Sequence, residues 1–97
     1  MFLKIHRLPD VGYVVAVCDR ELINTTIMDG EAEIKITESF YGNRCVTEDE
    51  VVSALRAAEN ANIIGERAIG LAIRHGIIAE ENCILLGTVP HALVFRL

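Results

Sequence analysis

Asn60-Ala61-Asn62-Ile63-Ile64-Gly65-Glu66-Arg67-Ala68-Ile69-Gly70-Leu71-Ala72-Ile73-Arg74 is the stretch whose reading sets the fold. On a wheel of about 100° per residue, Ala61, Ile64, Ala68, Leu71 and Ala72 make the centre of an apolar arc. Ile69 and Ile73 widen that arc to roughly 200°. Glu66, Arg67, Gly70 and Arg74 take the remainder. The pattern predicts a helix capped by Asn60 or Asn62. Its far end is marked by Arg74 and His75 in the last turn and Gly76 just beyond. Gly65 falls inside the arc, where a missing side chain permits close backbone approach. A helix this apolar needs two neighbours: the sheet, and either a second helix or a second subunit.

Upstream, Thr47-Glu48-Asp49-Glu50 is a capping box with Thr47 as N-cap, and Val46 and Val51 occupy the two positions of a hydrophobic staple. One helix from Thr47 to Arg74 would run roughly 40 Å at about 1.5 Å per residue. A domain of this length has a radius of gyration of only about 13 Å. A break is therefore expected near Asn60–Asn62. The flanks read as β. Phe2–Leu8 is a strand stopped by Pro9-Asp10 and Gly12. Tyr13–Cys18 is an apolar, β-branched strand. Asp19 to Leu22 suits one helical turn capped by Asp19. Asp29-Gly30 is a turn. Ala32, Ile34 and Ile36 then alternate with Glu33, Lys35 and Thr37, the period of a half-buried strand. Cys83–Leu86 and Ala92–Arg96 are two short strands, with Gly87 to His91 between them. The order is βββααββ in a single α+β domain over residues 1–97. A mostly antiparallel sheet should carry a helix pair on one face.

Composition excludes several classes. Ninety-seven residues with 52% apolar and 24% charged side chains are globular rather than disordered. The longest unbroken apolar run, Tyr13–Cys18, is far short of the roughly 20 residues of a membrane helix. No basic segment leads into an apolar stretch at the N-terminus, so no signal peptide is expected. Fourteen acidic against nine basic residues leave a net charge of −5, which disfavours a general phosphate-backbone binder. Cys18, Cys45 and Cys83 are an odd set without CxxC spacing, which predicts three reduced thiols in a cytoplasmic protein.

Three segments carry candidate site residues. Ser39-Phe40-Tyr41-Gly42-Asn43-Arg44 reads as a loop. Neighbours on a regular strand face opposite ways, so Phe40 and Tyr41 should not both enter one core. One aromatic is expected at the surface beside Gly42 and Arg44, where it would suit recognition of a base, peptide or anion. The plainer reading packs Phe40 in the core with Tyr41 over its edge. In Val89-Pro90-His91, the proline holds a histidine rigidly between two strands, as an acid, base or ligand. Asn62 and Glu66, four apart on one helical face, would with Arg67 bind a polar ligand where the two helices meet. His6, His75 and His91 and the cysteines show no HxxxH or CxxC pattern, so no metal is expected. No GxGxxG, Walker loop or GxSxG is present, so no cofactor is expected either.

Ser39-Phe40-Tyr41-Gly42, Ala61-Asn62-Ile63-Ile64-Gly65-Glu66-Arg67-Ala68, Val89-Pro90-His91-Ala92 and Ala16-Val17-Cys18-Asp19 together resemble a small archaeal family of domains of unknown function. The resemblance spans essentially the whole chain. It implies a cytoplasmic archaeal protein of about this length and brings no activity, substrate or cofactor. In that family a polar residue, usually Gln, follows the position of Ala92, where this chain has Leu93. That departure weighs against chemistry at position 93. A second glycine is common at the position of Asn43, and Asn tolerates the same left-handed backbone.

These readings favour a non-enzymatic binding module. An accessory role in archaeal translation or RNA handling is implied by the kind of family it resembles. Phe40, Tyr41, Gly42, Arg44, Asn62, Arg67, Pro90 and His91 are its expected binding residues, gathered on one surface. The negative charge favours a protein partner or one short single-stranded RNA segment. One alternative is a small enzyme using His91 with Glu66 or a cysteine. Another is a structural homo-oligomer, a homodimer joined through the apolar helix.

Overall fold

The computed structural model describes residues 1–10 and 12–96. Its strands are β1 (Phe2–Leu8), β2 (Gly12–Cys18), β3 (Thr26–Asp29), β4 (Ala32–Lys35), β5 (Asn60–Ile64), β6 (Ile84–Leu86) and β7 (Val89–Phe95). Its α-helices are α1 (Glu38–Tyr41), α2 (Glu48–Ala57) and α3 (Glu66–Arg74). The α+β class stands, but the order is ββββααβαββ rather than βββααββ. The main sheet runs β1-β2-β5-β7-β6, and β3 and β4 form a separate hairpin. The β2–β5 pairing is parallel and the other three are antiparallel, so the sheet is mixed.

The largest departure from the sequence reading is at residues 60–64, which form a strand instead of the first turn of a helix. The reason lies in what covers the sheet. Val15, Val17, Ala61, Ile63, Ala92 and Val94 face α2 and α3 through Val51, Leu55, Ala68, Leu71 and Ala72. Ala16, Cys18 and Ile64 face the opposite way, under Ile27, Ile36 and Tyr41. A strand buried on both faces loses its polar–apolar alternation and looks like part of an apolar helix. The arc assigned to one long helix therefore belongs to two elements. Within α3, Ala68, Ile69, Leu71 and Ala72 are buried against the sheet and α2 of the same chain. The apolar helix thus finds both its neighbours without a second subunit.

The start of α2 follows the sequence. Thr47 accepts from the Glu50 amide, the Glu50 side chain returns to the Thr47 amide, and Val46 packs against the cluster holding Val51. At the end of α3, Gly76 is left-handed at φ 68°. Its N–H and that of Ile77 close the helix on Ile73 and Ala72. Gly87-Thr88 forms a two-residue turn between β6 and β7, so Pro90 and His91 lie inside a strand and not in a gap between two. Proline fits there for a local reason. The Gly65 N–H donates to Pro90 O at 2.9 Å, but the Gly65 carbonyl already accepts from Ile69 in α3. The amide that proline lacks would have had no acceptor.

The molecule measures 34 × 28 × 27 Å, which leaves no room for a straight helix over residues 47–74. Among the described residues, no helix is long and apolar enough to cross a membrane.

Candidate functional site

Residues from three elements meet at the side chain of Asn62. Asn62 sits on β5 and faces away from α2 and α3. Its Oδ1 accepts from the Tyr41 hydroxyl at 2.8 Å and lies 3.1 Å from His91 Nε2. An oxygen can only accept, so Nε2 carries the proton. His91 Nδ1 then holds the lone pair, and it is buried without a hydrogen-bond partner among the described residues. Desolvation lowers the His91 pKa, so the ring favours its neutral form. Burial, with Cys18 nearby, raises the Tyr41 pKa, so the phenol stays protonated. Burial and then Asp19 push the Cys18 thiol up to about 12. Tyr41, Asn62 and His91 form a hydrogen-bonded network that fastens α1 to β5 and β7, and burial of the neighbouring Cys18 disfavours its nucleophilic thiolate form.

The aromatic expectation is overturned here. Tyr41 is 5% exposed and Phe40 is half-buried. Residues 38–41 are helical, and helical neighbours lie about 100° apart instead of on opposite faces, so both rings reach the sheet. Phe40 stacks on His6 at 5.0 Å and meets Tyr41 edge-on at 4.8 Å. The His6 Nε2–H donates to the Phe40 carbonyl at 2.7 Å. Gly42 at φ 79° ends this turn against β1, where a Cβ would sit 3.1 Å from the Leu3 carbonyl.

The remaining candidates separate. Asn62 is on a strand, so it shares no helical face with Glu66. Glu66 is exposed in the first turn of α3. Arg67 forms a bidentate pair with Glu21 at 2.6 Å. Arg44 pairs with Glu50 at 3.4 Å, beside the start of α2. Of the eight expected binding residues, Tyr41, Asn62 and His91 come together and Phe40 touches Tyr41. Arg44 and Arg67 are held elsewhere.

Asp19 has a larger role than one short turn requires. It is 5% exposed, and it caps α3 rather than its own short turn. Its Oδ2 accepts from the Arg67 amide at 3.0 Å and its Oδ1 from the Ala68 amide at 2.8 Å. Gly65 makes this possible: at φ 114°, its missing Cβ would lie 2.3 Å from Asp19 Cγ. The helix N-terminus is thus filled by the protein's own carboxylate and is no anion site. A contact between residues far apart in sequence has no local signature.

One part of the sheet face is left uncovered. Leu93 (52% exposed) and Phe95 (71%) project from β7 on the same face as Asn62 and His91. Ile84 (57%) stands opposite His91 on β6. Sequence reasoning missed these residues because every position from Ala92 to Phe95 is apolar and both faces look buried. Among the described residues, no three His, Cys, Asp or Glu side chains are grouped to hold a metal. No hydrogen bond among them joins His91 to Glu66 or to a cysteine.

Residues 6–97 match the family model described as "Protein of unknown function (DUF424)". No curated protein matches the chain. Among solved structures, the fold is similar to that of an uncharacterised conserved protein from Methanopyrus kandleri. That match has a TM-score of 0.83 and 27% identity, over 99% of this chain and 90% of the other. The chain belongs to the DUF424 family.

Proposed function

We propose that this DUF424 chain is a non-enzymatic protein-binding module whose working surface is the open sheet face around Leu93, Phe95 and Ile84. The observation that carries the reading is the exposure of three large apolar side chains on one face. A soluble domain gains nothing by wetting such a patch unless a partner covers it. The patch has no Lys or Arg to meet a phosphate. Arg96, next along β7, turns its guanidinium to the carbonyls of Leu55, Arg56 and Ala58 at 2.8–3.0 Å. With a net charge of −5, this favours a protein over an RNA strand. An accessory role in archaeal translation or RNA handling, acting through a protein component, is the setting we infer from the kind of family the sequence resembles. An enzyme built on His91 has less support, since Asn62 is the side chain it bonds.

The test is affinity capture from nuclease-treated extract of the source organism, comparing the native chain with Phe95→Asp. The reading expects one protein partner, retained after nuclease treatment and lost with Phe95→Asp. Capture that depends on RNA, or that ignores the substitution, would overturn it.

A further inference from the structure

β7 outruns the strand beside it. The pairs Ile84–His91, Leu85–Pro90 and Leu86–Val89 use up β6. From Ala92 to Phe95, β7 has a strand neighbour among the described residues only on its β5 side. Two hydrogen bonds show which backbone groups that leaves over. Gly65 N–H donates to Pro90 O, and Arg96 N–H donates to Glu59 O at 2.8 Å, both on the β5 side. Successive residues of a strand aim their N–H and C=O groups at alternate edges. The groups of Ala92 and Val94 therefore also face β5, and those of Leu93 and Phe95 face outward. Among the described residues these outward groups have no backbone partner. Natural edges are usually guarded by a charge, a proline or a bulge. Here Leu93, Val94 and Phe95 provide none, and a groove of about 520 Å³ runs beside them over Ile77, Ile78 and Ala79.

We propose that this edge pairs with the same edge of a second copy of the chain, antiparallel, joining two five-stranded sheets through β7. The inference rests on the binding-module reading and names its partner. A strand that uses both open positions must set one residue against Leu93 and another against Phe95. A second β7 related by a two-fold axis through Val94 does this with Phe95 and Leu93 themselves. Both pairs are of the hydrogen-bonded kind, giving about four hydrogen bonds in all. The same register lays Leu against Phe twice on the open face, an aromatic–aliphatic cross-strand pairing. The edge is thus complementary to itself. Charge gives the contact a signature. Each copy carries −5, yet the strip has no charged side chain, so the main electrostatic term is long-range repulsion that salt screens. Self-association should strengthen with salt, whereas a basic peptide at the same edge would bind more weakly.

The test is light scattering on the full chain across the micromolar range at low and high salt. The mass should rise from 10.7 kDa towards twice that value with concentration and with salt. Leu93→Pro deletes an outward N–H and leaves the β5 ladder intact, so it should weaken the dimer about tenfold or more. The thermal midpoint should barely move. Phe95→Lys, which sets a charge against the second copy's apolar leucine and a like charge diagonally across the axis, should do the same without touching the backbone. A chain that stays at 10.7 kDa throughout, or a dimer indifferent to both substitutions, would overturn the proposal. A strictly monomeric chain that still captures a partner protein would overturn the dimer and leave the binding-module reading standing.

Discussion

Asn62 Oδ1 takes hydrogen bonds from Tyr41 and His91, and this leaves His91 Nδ1 buried without a hydrogen-bond partner among the described residues. A proton added there would create a buried cation without a partner, which is why desolvation lowers the pKa. The sign of the effect on stability follows. The unfolded chain binds the proton near the ordinary value of about 6.5, before the folded chain does. Stability is full above that value and is lost as pH falls through it towards the lower folded value. His91→Gln keeps an N–H for Asn62 but cannot titrate. Chemical denaturation from about pH 7 to about pH 5 should therefore show a shallower loss of stability for His91→Gln than for the native chain. Equal slopes would mean that His91 is well solvated. Residue types alone pointed to Tyr41, Asn62 and His91 but not to their contacts. A four-residue helix is too short to show a period, so Phe40-Tyr41 reads as a loop and the burial of both rings is hidden.

At the scale of elements, legibility follows the range of the signal. The α2 start is written in residues three apart, and its capping box is where the sequence puts it. β5 is invisible as a strand because layers on both sides make its inward and outward residues alike. The boundary between β5 and α3 depends on Gly65 and on Asp19, which lies 46 residues earlier in the chain. Gly65→Ala puts a methyl into the Asp19 carboxyl at a positive φ, and should destabilise the fold by more than about 3 kcal/mol. Because part of that loss is the clash with Asp19, the double variant with Asp19→Ala should cost less than the sum of the two single changes. Denaturation midpoints for the three variants check this. Strict additivity would place the Gly65 constraint in the backbone alone.

The whole molecule is a sheet with one face packed under two helices at its centre, where Ile5, Tyr13 and Leu85 stay exposed at the margins, and a second face that is only partly covered. α2 and α3 cover the middle of the first; the β3–β4 hairpin and α1 cover only part of the second. The uncovered part coincides with the unpaired half of β7, so exposed side chains and unpaired backbone groups fall in the same place. The α+β class and the helix pair were legible from the balance of apolar runs and caps. The open patch was not, because it depends on β6 being three residues long beside a seven-residue β7. The central claim, that this half of β7 is the working surface, is tested most directly by amide hydrogen exchange read residue by residue. In the dilute, unpartnered chain, the inward amides of Ala92, Val94 and Arg96 should exchange slowly and the outward amides of Leu93 and Phe95 quickly. In the assembled state, with either a second copy or a captured partner, Leu93 and Phe95 should become protected. If they are already protected in the dilute chain, or stay fast in an assembly that protects another surface, the claim is wrong.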